Sequence, residues 1–273
     1  MVFVLVFSAC LHATWNGLLK KCGDKATCIL LSFTTAAVTA ALALPLEGGY
    51  SLGSGARWAL FAGVAEGFYA ILLTKTLENA PLGPAYALMR GLAMALVWGF
   101  STRYLGETIG AMQAGGISLI FLGFFVNLTA RTGRFRGAGV AWATSCGVAI
   151  FAYHVLYDLA LREGARPISL FLTSSFVSVP MMLVPLGRNV AARIRALPPP
   201  ERRRSLAAGF IAFASFALFL RALSVTPPGL ALSLRNASIV FSWGLGLWLG
   251  ERPTLRETLA SVAIFAGVLF LAA

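Results

Sequence analysis

The chain has 273 residues, 58% of them apolar and only 12% charged, with a mean hydropathy of +0.81. Soluble domains carry about 25% charged residues, so this composition excludes a soluble globular domain, a disordered chain and a fibrous repeat. Lys and Arg number 22 against 10 acidic residues, but the basic residues sit mostly in short connectors between apolar runs. That distribution points to membrane topology and anionic headgroups, and away from nucleic acid.

A hydrocarbon core about 30 Å thick needs about 20 apolar residues per helix. Ten runs of that kind are predicted, over 1–20, 27–46, 57–77, 82–101, 111–130, 136–161, 167–187, 204–224, 228–249 and 254–272. The first has no basic stretch before it and is interrupted by His12, Trp15 and Asn16, so it reads as a retained span and not a leader. The runs are continuous and do not alternate, which excludes a barrel. Turn residues fill the connectors, as in Glu47-Gly48-Gly49, Pro198-Pro199-Pro200 and Thr226-Pro227-Pro228-Gly229. The longest connector, 188–203, has no room for a soluble domain. Connectors after odd-numbered spans hold 15 basic residues, Lys20, Lys21 and Arg202-Arg203-Arg204 among them. Those after even-numbered spans hold 5, namely Arg57, Arg103, Arg162, Arg166 and Arg221. The positive-inside rule then places both termini outside.

The chain also repeats itself. Leu88-Met89-Arg90, Leu105-Gly106-Glu107 and Gly123 in spans 4–5 are answered by Ser233-Leu234-Arg235, Leu249-Gly250-Glu251 and Gly267 in spans 9–10, at offsets of 144 and 145. Trp15-Asn16 and Lys20 precede Tyr153-His154 and Asp158 by 138 residues, and Pro81 before span 4 is matched by Pro227 before span 9. This divides the chain into 1–130 (spans 1–5) and 131–273 (spans 6–10). An odd number of spans per copy inverts the second copy in the membrane. The expected fold is therefore an all-α integral membrane protein of ten transmembrane helices, a 5+5 inverted-topology repeat around a central cavity, with the site near the midplane.

With Ser8-Ala9-Cys10-Leu11-His12-Ala13-Thr14-Trp15-Asn16 in span 1, and Arg90-Gly91 answered by Leu234-Arg235-Asn236, these features resemble the drug/metabolite transporter superfamily, EamA-like branch. They further resemble a subgroup associated with phosphonate utilisation. The resemblance covers essentially the whole chain. It implies a basket-like bundle with a cavity lined by spans 1, 3, 4, 6, 8 and 9, and peripheral spans 5 and 10. It also implies transport by proton antiport export. Family members more commonly have cytoplasmic termini, unlike the charge count here, and often a His where this chain has Glu66.

An ionisable group deep in hydrocarbon costs about 2.5–3.5 kcal/mol and needs a reason. Arg90 and Arg235 lie about 10–12 Å into spans 4 and 9, too deep to snorkel. Two such forks facing one cavity suit carboxylate, phosphate or phosphonate; the alternative is a structural clamp between helices. Glu66, mid-span, reads as a proton-coupling or gating carboxylate, or as the counter-ion of an arginine. His12, His154 and Asp158 are further coupling candidates, although Asp158 with Arg162 also reads as a surface i,i+4 pair. Trp15, Asn16, Tyr69, Tyr86 and Asn236 are the candidate cavity lining. Glu107 and Glu251 sit at helix ends and read as caps.

There is no phosphate-binding Gly-x-x-x-x-Gly-Lys-Ser/Thr loop, hence no ATP motor and no ATPase subunit required. Two histidines and four Cys without metal spacing predict no metal and no cofactor. No catalytic residue stands out. The expectation is a non-enzymatic, multi-pass inner (plasma) membrane transporter for a small polar, anionic metabolite, with lipids and protons as its other partners. A flippase for a lipid-linked phosphorylated substrate, and an enzyme clamping a phosphorylated lipid with its arginines, are the rival readings.

Overall fold

The computed structural model describes residues 1–80, 82–129, 137–248 and 254–272. Pro81, the connector arginines 131, 134, 136 and 252, and the Leu249-Gly250-Glu251 triplet lie outside the described residues. The helices are α1 (Val2–Lys20), α2 (Lys25–Ala43), α3 (Ala56–Asn79), α4 (Leu82–Tyr104), α5 (Ala111–Thr129), α6 (Ala138–Arg162), α7 (Pro167–Leu183), α8 (Val190–Ala196), α9 (Pro199–Leu223), α10 (Pro228–Arg235), α11 (Ser238–Trp248) and α12 (Leu255–Ala272). No strand occurs among the described residues.

The elements depart from the ten predicted runs at three places. The connector after α7 contains α8, a one-sided surface helix with no buried residue, carrying Arg193 and Arg195. The eighth run starts earlier, at Pro199, because proline fits the first helical position and the arginines after it extend the turn. The ninth run is broken in two after Arg235. By length and apolarity six segments can each cross a bilayer: Val2–Lys20, Lys25–Glu47, Ala56–Thr76, Ala138–Arg162, Pro167–Gly187 and Pro199–Leu223, with Ala111–Val126 a shorter apolar helix. α4 has 23 residues but contains Arg90 and Arg103. α10 and α11, with 8 and 11 residues, are each too short to cross alone.

The surface is apolar and the interior is partly polar. Phe3, Leu42, Leu46, Phe176 and Val184 face outward, whereas Ser8, Ser32, Ser174, Ser175, Ser178, Ser215 and Ser233 are buried. In lipid, helices associate through close packing of small residues and interhelical hydrogen bonds. Ser8 and Ser215 donate to each other's backbone carbonyls at 2.8 and 2.9 Å, fixing α1 on α9. α5 packs along α12 at Gly116, Gly123 and Gly267, where a Cβ on Gly267 would lie 2.5 Å from the Gly116 carbonyl oxygen. α3 packs on α6 and α7; α9 packs on α1 and α2; α4 lies against α6; α10 and α11 lie against α1.

Carboxylates close the starts of two helices that begin with proline. Glu47 accepts from the amides of Ile168 (2.8 Å) and Ser169 (3.2 Å) at the start of α7. Glu107 accepts from Gly229 and Leu230, both at 2.9 Å, at the start of α10, and from the Ser101 hydroxyl. Glu107 is thus a cap, but of a helix about 120 residues later and not of the adjacent α5, because the unpaired amides and positive end of α10 are what a carboxylate satisfies. At the other end of the chain's first turn, Asp24 caps α2 through Thr27 and forms a forked pair with Arg193, Nη2–Oδ1 2.8 Å and Nε–Oδ2 3.0 Å.

Three outcomes follow from these contacts. Gly267→Val should push α12 off α5 and lower stability by about 1–3 kcal/mol, read as a drop in thermal midpoint in detergent. Glu107→Ala should cost about 0.5–2 kcal/mol by the same assay. Burial raises the pKa of Asp24, but the Thr27 hydrogen bonds and Arg193 outweigh it and hold the carboxyl below its usual range. A depressed folded pKa gives stability that is complete above the unfolded value and lost as pH falls through about 4 and below. Thermal midpoints scanned downward from about pH 6 should therefore fall less steeply in Asp24→Asn than in the wild type.

Candidate functional site

One turn of α1 organises the interior. His12, Trp15 and Asn16 share a face at i, i+3 and i+4. Trp15 Nε1 donates to His12 Nδ1 at 3.2 Å, and Asn16 Nδ2 donates to the His12 carbonyl at 2.8 Å. Asn16 Oδ1 accepts from the Tyr86 hydroxyl at 2.8 Å, tying α1 to α4. Arg90 follows Tyr86 by one turn, its guanidinium carbon 6.0 Å from the Tyr86 ring centre.

Both arginines converge on His12. Arg90 Nη2 meets His12 Nε2, and Arg235 Nη2 lies 3.3 Å from His12 Nδ1. Arg235 is wholly buried and Arg90 is 4% exposed. The Arg235 guanidinium sits between two rings of α9, 4.3 Å from Phe216 and 4.0 Å from Phe219, a cation–π arrangement. Its Nε and Nη1 have no hydrogen-bond partner. Among the described residues no carboxylate lies within ion-pair distance of either guanidinium. A neutral imidazole has one acceptor nitrogen and a charged one has none. His12 is therefore approached by donors from Arg90, Arg235 and Trp15 that its one lone pair cannot all satisfy.

Glu66 is buried on α3, but it is not an arginine counter-ion. Its Oε2 accepts from the Tyr157 hydroxyl at 2.9 Å, and that hydroxyl also lies 3.0 Å from Ser174 Oγ. His154 Nδ1 donates to the Ile150 carbonyl at 2.7 Å, and its Nε2 has no hydrogen-bond partner. The His154 ring stacks 4.3 Å from Tyr153 and lies 5.3 Å from Phe219. Tyr69 packs 5.5 Å from Tyr153. Asn236 Nδ2 donates to the Met94 sulfur at 3.3 Å and leaves Oδ1 unpartnered. Asp158 does not join this cluster: it pairs at 2.6 Å with half-exposed Arg162, as the i,i+4 spacing allows.

The structure thus brings His12, Trp15, Asn16, Tyr86, Arg90 and Arg235 into one contact network, with His154 and Tyr69 joined to it through aromatic packing. Sequence reasoning missed Phe216 and Phe219, whose i,i+3 spacing on a run with a basic start was the available signal. It also missed Ser174 and, although Tyr157 shares a turn with His154 and Asp158, the bond that Tyr157 makes to Glu66. The break after Arg235 carries no Gly or Pro: Asn236 and Ala237 make i→i+3 bonds to Ser233 and Leu234 at 3.1 Å, a tightened turn that no local residue announces. An apolar groove of about 420 Å³ opens between α1 and α11, lined by Cys10, Ala13, Thr14, Val240, Phe241 and neighbours, and none of the arginine-cluster residues reaches it.

A solved structure described as "Crystal structure of protein" is similar to the chain, with a TM-score of 0.71 at 18% identity over 99% of this chain and 97% of that one. At that identity the likeness speaks for the fold. The profile of the EamA-like transporter family, within the drug/metabolite transporter superfamily, matches residues 137–273, the half that carries α6 to α12 and Arg235. The chain belongs to the EamA-like transporter family and is a multi-pass membrane protein of the transporter type.

Proposed function

We propose that this transporter works by alternating access on a small polar, anionic organic metabolite in the inner (plasma) membrane. The observation that carries the anionic reading is the convergence of two buried guanidiniums on one imidazole with, among the described residues, no carboxylate within ion-pair distance of them. Two forks of fixed charge in a low-dielectric interior are stabilised most by an oxyanion that accepts from both. Phosphonate, phosphate ester and carboxylate groups all have that chemistry. Trp15, Asn16, Tyr69, Tyr86 and Asn236 form the surrounding wall, and His12 holds the place an anion oxygen takes. The burial of the whole cluster corresponds to a closed arrangement between two open ones.

In this reading α1–α5 and α6–α12 are two five-span copies, 1–130 and 131–273, with α10 and α11 acting as one interrupted span and ten crossings in all. The exchange of packing partners supports it, since α3 on α6 and α7 is answered by α9 on α1 and α2. Interrupted spans are common where transporters bind ions. Glu66 is the coupling group: buried, hydrogen-bonded to the Tyr157 hydroxyl and, among the described residues, not ion-paired, it can gain and lose a proton within the bundle. Export by proton antiport needs nothing further from the chain.

The test is a thermal-shift screen of the purified protein against methylphosphonate, phosphate esters, carboxylates, amino acids and cationic drugs. An anion at 100 times its Kd should add about 2.7 kcal/mol to the wild type. Arg90→Gln and Arg235→Gln should lose that gain. Cations or neutral compounds shifting all three proteins alike would overturn the anionic reading.

A further inference from the structure

The turn between α1 and α2 gathers a second set of chemistry-bearing side chains, independent of the arginine cluster. Cys22 lies in the turn, Cys28 in the first turns of α2, and Glu201 in the first turn of α9. Cys22 is 2% exposed and Cys28 fully buried, and both are free thiols. The two sulfurs and a Glu201 carboxylate oxygen all lie within 4.8 Å of one another. Glu201 Oε2 is 3.9 Å from Cys28 Sγ and accepts the Gly23 amide at 3.1 Å, which aims the carboxylate at the thiols. The six-residue separation of the cysteines matches no metal pattern, and the third donor comes from the other half of the chain, so spacing alone does not reveal the group.

We propose that Cys22, Cys28 and Glu201 form a binding site for a borderline-soft divalent cation of the zinc or cadmium type. Zinc–sulfur and zinc–oxygen distances of about 2.3 and 2.0–2.2 Å set tetrahedral donor–donor edges of about 3.5–3.8 Å. The separations here are already within about 1 Å of that, a difference that side-chain rotation covers. On binding, each thiol releases its proton to solvent, and two thiolates and one carboxylate surround the ion, with a fourth position open to water. The assembly carries one net negative charge, and Lys25, whose ammonium reaches the Cys22 carbonyl at 3.1 Å, lies beside it as the compensating cation. The carboxylate decides between this and a disulfide: a Cys22–Cys28 bridge would have no use for an acidic group directed at its sulfurs. A bound ion also ties the α1–α2 turn to α9, next to the Asp24–Arg193 pair that joins the same turn to α8. It would hold His12 on α1 and the Phe216–Phe219 pair on α9 in their closed relation.

The full chain, purified in detergent and reduced, is titrated with cadmium alone and then competed with zinc. The expected result is one ion per chain, thiolate-to-cadmium charge-transfer absorption, two protons released per ion and displacement by zinc. Cys22→Ser and Cys28→Ser should abolish the absorption, Glu201→Gln should weaken binding about tenfold or more, and Cys10→Ser with Cys146→Ser should bind as the wild type does. Should either serine variant fail to fold, Glu201→Gln and the Cys10/Cys146 variant still decide. Absence of the absorption in reduced wild type, its persistence in both Cys22→Ser and Cys28→Ser, or unchanged affinity in Glu201→Gln would overturn the assignment. So would a Cys22–Cys28 disulfide that takes up no cadmium after reduction.

Discussion

Hydrocarbon supplies no hydrogen-bond partners, and the rest of this structure follows from that constraint. The backbone must satisfy itself within each segment, so the described chain is helix throughout. Lipid tails are as apolar as leucine, so burying leucine against leucine drives little association between helices. What holds them is close approach and hydrogen bonding. Glycine lets α5 and α12 touch backbone to backbone, and Ser8 and Ser215 exchange bonds between α1 and α9. Many large apolar residues, Phe3, Leu42 and Phe176 among them, face outward, and serines such as Ser8 and Ser215 turn inward, where they find partners.

Against that background two buried guanidiniums are costly, and the fold offsets them only in part. Arg235 has two aromatic faces and Arg90 an imidazole nitrogen. The buried carboxylate Glu66 is engaged by the Tyr157 hydroxyl instead. An arrangement that is costly to bury and incompletely satisfied supports the proposed anion site, because tight internal pairing would compete with a ligand.

Much of this was legible in the sequence. Apolar runs about 20 residues long set the helices, since span length is fixed by the bilayer and leaves few alternatives. The depth and matched positions of Arg90 and Arg235 marked them without any knowledge of their neighbours. What sequence could not give was anything decided between helices. That His12 bridges both arginines, that Glu107 caps α10, and that Glu66 binds the Tyr157 hydroxyl all depend on contacts across scores of residues. The same holds for Cys22, Cys28 and Glu201. The interruption after Arg235 was missed for another reason: Asn236 and Ala237 are ordinary residues, and the tightened turn serves tertiary contacts, not local propensity.

The way the helices are fastened groups the cluster into two sets. Arg90 rides on α4. Arg235 ends α10, whose start is held by Glu107 and whose middle is held by Trp98 of α4, donating to Ser233 at 2.8 Å. Both guanidiniums therefore belong to one α4–α10 unit, anchored at three points. His12 and the Phe216–Phe219 pair belong to an α1–α9 unit, locked by the Ser8–Ser215 exchange. The units also pack directly, α10 lying against α1 and α9, and they meet at the imidazole–guanidinium approaches, the cation–π faces and the Tyr86–Asn16 bond. The interruption after Arg235 is a tightened turn, bridged by the Asn236, Ala237, Ile239 and Val240 amides, so the guanidinium sits at the point where α10 gives way to α11. In the proposed alternating-access reading, a shift of α1 and α9 relative to α4 would uncover both guanidiniums, and an anion that bridges them would take the place His12 fills here.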